Sequence, residues 1–385
     1  MKNKKSEAEN TLACVRTAKG TAAIGSIEVC GPNGFSVIQK IFQPAGKNAS
    51  MDEGQILYGR FLDRGQTLDD GIVGVEGPNR YALHCHGNPL ILRQILALLQ
   101  RHDVQIITYE EMLSRRFAVE SGNVIQAEAK LQSLKTASLL GAQIIQNQAT
   151  AGLARTAQQW LDAKDCQTIR QEVREILRRS QIGRRIIHGV RIVIAGPPNS
   201  GKSTLLNRLA GQEQALVSDI PGTTRDWVTA FGRIEPLRIE WIDTAGLDER
   251  LAAANLFDRT AQRRTQKQLA DCDLILYVID GTKTLANRPS WFSPDIPVVT
   301  VLNKSDLPDF QRREDKADQV SISAKVGSGI EALGKAILQT LEIQSFDPAW
   351  PVAFTARQHD LLQKIADAAD LSAVKSLARQ LFIND

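Results

Sequence analysis

Apolar and polar positions change period several times along the chain, and each change predicts an element. At 80–86, "RYALHCH" alternates, which sets His84 and His86 on one face of a strand. Gly87 follows, with Asn88 as an N-cap, Pro89 at the first helical position and then an amphipathic helix. A second change falls at 191–211, where the β-branched run "RIVIA" meets a glycine-rich turn and an amphipathic helix that ends at Gly211. Between the two, residues 124–161 are a long run of good helix formers with apolar positions at period 3.6. A basic helix containing "REILRRSQIGRR" and a short linker lead into the strand at Arg191. Further strands are expected to end in "WID" (241–243) and "TVLN" (300–303), and helix resumes from about Thr355 to Leu381.

A length of 385 residues suggests two or three domains rather than one core. No apolar run approaches the ~18 residues a membrane span needs. The start "MKNKKSEAEN" lacks the apolar core of a signal peptide and reads as a frayed tail. A cytoplasmic protein with no membrane partner is expected. Cys14, Cys30, Cys85, Cys166 and Cys272 are odd in number and never spaced C-x-x-C, so they read as reduced thiols. His84 and His86 lack third and fourth ligands at zinc-like spacing. The net charge of +4 is too small to diagnose a nucleic-acid binder, though it permits a local basic face. Arg170, Arg174, Arg178, Arg179, Arg184 and Arg185 could form one; with interspersed glutamates the run reads either as a solvated helix face or as an RNA phosphate contact.

Specific chemistry enters with the turn after Ala195, which is G-x-x-x-x-G-K-[ST] in a strand-to-helix setting. Gly196 and Gly201 let backbone N–H groups wrap phosphates, with Asn199, Ser200 and Thr204 in the same stretch. Lys202 reaches the β and γ phosphates, and the Ser203 hydroxyl is placed to hold Mg²⁺. Three segments follow in the order of a nucleotide switch protein. "DIPGTTRD" (219–226) supplies Thr223 and Thr224, the latter a second candidate metal ligand. In "WIDTAG" (241–246), Asp243 can hold Mg²⁺ through water and the Gly246 amide can meet the γ phosphate. "TVLNKSDL" (300–307) supplies Asn303, Lys304 and Asp306. This N-K-x-D pattern resembles that of guanine-nucleotide-binding proteins, whose aspartate accepts from the guanine N1–H and amino group, a donor pair adenine lacks. "SISAK" (321–325) resembles their loop in which the amide of the alanine, here Ala324, caps guanine O6, flanked by Ser323 and Lys325. The expected ligands are GTP or GDP with Mg²⁺.

Ras-like enzymes usually place a water-orienting glutamine where this chain has Leu247, so hydrolysis must recruit another group or be slow. Glu249 lies nearby. In a subset of these GTPases an asparagine at the position of Asn199 supports a K⁺ ion in place of an arginine finger; Asn199 is equally readable as a turn residue.

With a GTPase module set between helical segments and a small α/β domain before them, the chain resembles the tRNA-modification GTPase family called MnmE or TrmE, over about residues 11–360. The fold this implies is α/β: a Ras-like P-loop GTPase domain inserted in a helical domain, preceded by a small α/β N-terminal domain. The expected divisions are 1–112 (folate-binding-like and dimerisation), 113–187 (helical, first part), 188–344 (GTPase) and 345–385 (helical, second part). "HCHGN" is similar to the family's H-C-H-G-G signature, and with "TLACVRTAKGTAAIGSIEVCG" (11–31) it resembles the domain that dimerises and binds a reduced folate. The resemblance further implies a homodimer, a flavin-dependent partner protein, and tRNA contacted weakly or indirectly.

Several positions depart from the family pattern. Glu28 stands where arginine is usual, "GPNRYA" shortens the segment before the signature, and "TYEEM" replaces P-G-E-F-T, which weakens the expectation of folate. Counting to the family's catalytic glutamate reaches Asn255, or Ala253 with a two-residue deletion. No cysteine follows Cys272 to match the family's C-terminal C-x-G-K motif. Beside the tRNA-modifying GTPase, two alternatives stand: a degenerate GTP-regulated binding module, and a ribosome-assembly GTPase.

Overall fold

A computed structural model describes residues 10–46, 51–211, 228–243, 272–283, 292–311 and 318–383. The chain divides into two compact units, Met1–Ser121 and Gly122–Asp385.

In the first unit the strands are β1 (Leu12–Val15), β2 (Ile24–Cys30), β3 (Phe42–Pro44), β4 (Ile56–Asp63), β5 (Gln66–Gly77), β6 (Arg80–His86) and β7 (Gln105–Ile106). They form one sheet in the order β3-β4-β5-β6-β2-β1-β7. Its helices are α1 (Gly34–Ile41), α2 (Pro89–Arg101) and α3 (Tyr109–Glu120). Arg64 and Gly65, both at positive φ, turn the β4–β5 hairpin, the backbone that a tight two-residue connection requires. Apolar faces of α1 and α2 bury Val37, Ile38, Ile41, Ile95 and Leu99 against Ile27, Phe61, Val73 and Leu83. Helix α3 opens on a capping box between Thr108 and Glu111 and packs Met112 against Leu12 and Cys14. The division expected at residue 112 therefore falls inside α3, and the structural boundary comes after Ser121.

The second unit opens with α4 (Val124–Ser133), α5 (Leu139–Thr150), α6 (Leu153–Asp162) and α7 (Cys166–His188). The single helical run expected over 124–161 is thus three helices. Ser138 breaks it by capping α5, accepting from Gly141 N at 3.0 Å. Gly152 breaks it again, because the Gln148 side chain fills the place where a Cβ would stand. Next come β8 (Val190–Ala195), α8 (Lys202–Ala210), β9 (Val228–Ile234), β10 (Leu237–Asp243), β11 (Leu274–Asp280), β12 (Val298–Asn303), β13 (Gln319–Ser321) and α9 (Ile330–Thr340). These strands form a sheet ordered β13-β12-β11-β8-β10-β9, parallel except for the β9–β10 hairpin. The helix expected to resume over 355–381 is present as two helices, α10 (Ala356–Asp367) and α11 (Leu371–Gln380), with Asp370 capping the second.

Residues on either side of the nucleotide-type sheet in sequence come together in space. Fully buried Gln148 donates to Trp350 O at 3.0 Å and accepts from Val352 N at 2.9 Å. Arg357 grips Glu128 through bonds of 2.7 and 2.8 Å and also donates to Gln380 O. A helical layer built from both ends of the unit, with the sheet's chain between them, is an inserted arrangement. No helix among the described residues is long and apolar enough to cross a membrane.

Candidate functional site

The phosphate-type turn leaves β8 at the centre of the parallel sheet, where strand ends converge. Gly196 has φ +150°, and a Cβ there would lie 1.9 Å from Val278 O, so only glycine lets the turn pass β11. Asn199 and Gly201 are also at positive φ (+61° and +95°), which curls the loop before α8. Lys202, buried at the start of α8, donates to Gly196 O at 2.6 Å and Pro197 O at 3.0 Å. Its ammonium and the N-terminal dipole of the helix make this end attract anions. Ser203 Oγ donates to Asp243 Oδ2 at 2.9 Å. Two hard oxygen donors side by side, at the end of β10 and the start of α8, suit Mg²⁺. The Ser200 hydroxyl is buried and has no hydrogen-bond partner among the described residues.

A second cluster gathers where β11 and β12 end. Asn303 Nδ2 donates to Ser200 O at 2.8 Å, and its Oδ1 accepts from Ala324 N at 2.9 Å. Lys304, at φ +70°, points its ammonium to Asp280 Oδ2 at 2.7 Å. Burial would raise the Asp280 carboxyl, but hydrogen bonds from Lys304 and Thr282 override it and hold the group down at about 2. Ser323 Oγ donates to Asp306 Oδ1 at 2.5 Å, which keeps that carboxyl below the usual range. Asp306 is exposed.

Of the residues singled out in sequence, Ser200, Gly201, Lys202, Ser203, Asp243, Asn303, Lys304, Asp306, Ser323, Ala324 and Lys325 lie at or just after the C-terminal ends of β8, β10, β12 and β13. Thr204 sits exposed in the first turn of α8. Asn199 is exposed, and its carboxamide makes no hydrogen bond to a described residue. Thr223, Thr224, Gly246, Leu247 and Glu249, with Ala253 and Asn255, lie outside the described residues. Sequence reasoning missed Asp280, which was legible as an acid at the end of the buried strand "LILYVID".

The H-C-H segment has the strand-to-helix geometry its pattern predicts. Asn88 Oδ1 accepts from Leu90 N at 2.8 Å with Pro89 at the helix start. Cys85 is buried and its thiol pushed up to about 11 by desolvation, then by Asp69, so it is no nucleophile near neutral pH. His86 Nδ1 lies 2.7 Å from Asp69 Oδ1. No group of three or more His, Cys, Asp or Glu among the described residues could hold a metal. Glu28 is fully buried and is held by two arginines: Arg16 at 2.8 Å and Arg116 in a short contact. Arg16 also forks onto Glu76 at 2.6 and 2.5 Å.

Most of the basic run on α7 is consumed internally. Arg170 caps Ala368 O and Ala369 O, while Arg178 pairs with Glu175 and Glu342. Arg179 pairs with Glu175 and lies 4.4 Å over the Trp350 ring, and Arg185 reaches Leu341 O and Asp273. Arg174 and Arg184 remain as exposed cations, and Arg184 is only 3.7 Å from Asp273.

Fold and site together define a P-loop GTP-binding domain of the Ras-like class. Its residues 191–304 match the family described as 50S ribosome-binding GTPase, and residues 11–120 match the GTP-binding protein TrmE N-terminus. The chain is 30% identical over 384 residues to the tRNA modification GTPase MnmE of Xylella fastidiosa, covering 89% of this chain and 82% of that one. It is 27% identical to the MnmE of Endomicrobium trichonymphae, over 98% of this chain and 94% of the relative. With the Geobacter sulfurreducens protein of the same name the identity is 27% over 92% and 87% of the two chains. The chain belongs to the MnmE/TrmE family of tRNA modification GTPases, and it is a GTPase.

Proposed function

We propose that the chain binds GTP across the two clusters, with its phosphates on the 196–204 loop and its base at 303–306 and 323–325, and hydrolyses it in support of tRNA wobble-uridine modification. The observation that carries this is Asn303, whose one carboxamide ties the phosphate loop at Ser200 to the base loop at Ala324. Lys202 would exchange its two carbonyl partners for β and γ phosphate oxygens. Ser203 and Asp243, with Thr224, would hold Mg²⁺, which supplies charge neutralisation between the phosphates. Asp306 would accept from the guanine N1–H and amino group while Ser323 fixes its carboxylate. Asn199, with an unengaged carboxamide in the loop, is the candidate K⁺ ligand, and Glu249 the candidate to replace the glutamine absent at Leu247.

The resemblance to the family supports tRNA as substrate, a flavin-dependent partner, a homodimer and a cytoplasmic setting as parts of this reading. Folate does not follow as readily. The Glu28 carboxylate, buried between Arg16 and Arg116, spends two cations internally that an anionic folate would otherwise meet. That observation favours a second reading, a GTP-regulated module without the one-carbon chemistry. Calorimetry with GTP, ATP and a reduced folate on the full chain tests both: GTP binding without folate binding supports the second, binding of both the first, and no preference for GTP over ATP rejects the site.

A further inference from the structure

A second cleft lies at the amino ends of β8 and β10, the opposite pole of the sheet from the strand ends that carry the phosphate and base loops. Glu240 stands in register between Phe231 on β9 and Arg191 on β8, so the three side chains share one face. Arg238, two residues before Glu240, is on that face as well, its guanidinium 5.0 Å from the centre of the Phe231 ring. Arg184 and His188, one turn apart on α7, line the cleft from the helix side. The chain leaves α7 at Gly189 with φ +86°, where a Cβ would lie 2.7 Å from Arg238 O, so only glycine lets β8 begin this close to β10. The cleft has a volume of about 420 Å³.

Its cations exceed what its own carboxylates engage. Arg191 is paired with Glu240 at 3.1 Å. One oxygen of Asp273 accepts from Arg191 N–H at 3.0 Å, and the other lies 3.5 Å from Arg185 and 3.7 Å from Arg184, too far for hydrogen bonds. Arg238 has the Phe231 ring beside it and no carboxylate among the described residues. Arg184 and Arg238 therefore keep their donor forks for a ligand. A guanidinium fork matches a phosphate, while an aromatic ring or a guanidinium plane is a surface on which an unpaired base stacks. The volume falls within the ~300–1,000 Å³ of small-ligand sites, room for one nucleotide and too little for a duplex.

We propose that this cleft binds an unpaired nucleotide of RNA, with a phosphate on Arg184 and Arg238 and the base against Phe231. The inference deepens the tRNA reading above and rests on it. Of the basic run on α7 only Arg184 takes part, and its fellow cation comes from β10, a strand that the run does not include. An acidic protein segment would meet the same guanidiniums but leave the aromatic surface unused, so it is the less favoured occupant. Strand β8 starts at this cleft and ends at the phosphate loop, so the RNA and nucleotide sites stand at the two ends of one strand.

The test follows the fluorescence anisotropy of a labelled, unstructured RNA oligonucleotide and of a labelled tRNA on the full chain, with saturating GDP and Mg²⁺ present to keep RNA phosphates off the 196–204 loop. Arg184→Ala and Arg238→Ala should each weaken RNA binding about 10-fold, the scale of a hydrogen bond to a charged group. Each should also flatten the salt dependence of log affinity by roughly 0.7, the value of one phosphate in a single strand. Phe231→Leu should weaken binding at least about 5-fold, the low end for a stacked base, with the salt dependence unchanged, and Phe231→Tyr should retain it. Thermal melts of each variant separate lost binding from lost fold. Uridine 5′-monophosphate should displace the RNA only at far higher concentration, and poly-glutamate of equal charge should not displace it. A mononucleotide as tight as the oligonucleotide would give the cleft to a free nucleotide, and displacement by poly-glutamate would give it to an acidic protein; either overturns the RNA assignment. RNA binding unmoved in all the folded variants would overturn the cleft and leave the tRNA reading standing. A parent that binds neither RNA would overturn the tRNA reading and this inference with it.

Discussion

Asn303 Nδ2 donates to Ser200 O at 2.8 Å across 103 residues of chain, so the end of β12 and the phosphate loop are one unit. Ligand binding at either end is steadied from the other, which is the basis for expecting selective, coupled effects from single substitutions.

Lys202→Ala should abolish nucleotide binding and spare the fold. The lysine donates to Gly196 O and Pro197 O, backbone acceptors of the loop itself, and takes no part in strand pairing, so its loss falls on the ligand site. Fluorescence titration with a labelled guanine nucleotide, beside circular dichroism of the same sample, checks this; GTP affinity equal to the parent's would reject the phosphate assignment.

Arg357→Ala should destabilise the second unit by about 1–3 kcal/mol, the scale of hydrogen bonds to a charged group. Glu128 would lose both bonds from Arg357 while keeping those from Thr355 and Gln358, and Gln380 O would lose its donor. Urea unfolding followed by tryptophan fluorescence measures the loss, and no change in midpoint would mean that this clasp does not hold the helical layer.

Asp280 gives a pH dependence of definite sign. Its folded-state carboxyl lies at about 2 against an ordinary 3.8, so its contribution is fully present above about 4 and is lost as pH falls through about 2. Solvent screening at this rim keeps the stake to about 1 kcal/mol. Asp280→Asn should therefore lower the urea midpoint at pH 6 and bring it close to the parent's near pH 2. A constant difference across that range would mean that charge at Asp280 is not the cause.

Turnover should be slow. Leu247 cannot orient water and neither Asn255 nor Ala253 carries a carboxylate, so about 10²–10⁴-fold of positioning or general-base help is missing. Single-turnover hydrolysis should show only modest stimulation by K⁺ over Na⁺, since an ion at Asn199 adds electrostatic help but cannot aim the nucleophile. A fast, strongly K⁺-dependent rate would show that Glu249 or another residue has taken the role.

What could be read from the sequence follows from how far apart the causes sit. The phosphate loop and the N-K-S-D segment were legible because each packs its glycines, lysine and carboxylate into a few consecutive residues. Asn88 and Pro89 announced α2 for the same reason. The breaks at Ser138 and Gly152 were not legible, because local hydrogen bonding and the Gln148 side chain overrode a continuous helical period. Nor was the fate of the α7 arginines, whose acceptors at Glu342, Leu341 and Ala368 lie more than 150 residues away. Burial of Glu28 between Arg16 and Arg116 likewise depends on three elements meeting, and only its mismatch with the family pattern hinted at it.

The most direct measurement of the central claim is the nucleotide preference of Asp306→Asn. Ser323 already fixes one oxygen of Asp306 at 2.5 Å, which the asparagine oxygen can still accept. The change therefore removes the acceptor facing the base and substitutes a donor. GTP affinity should fall about 10- to 100-fold, the scale of a hydrogen bond to a charged group, and xanthosine triphosphate, whose 2-oxo group accepts where guanine donates, should bind in its place. An unmodified protein that binds GTP and ATP equally, or a variant that keeps the parent's GTP affinity and gains nothing for xanthosine triphosphate, would contradict the account.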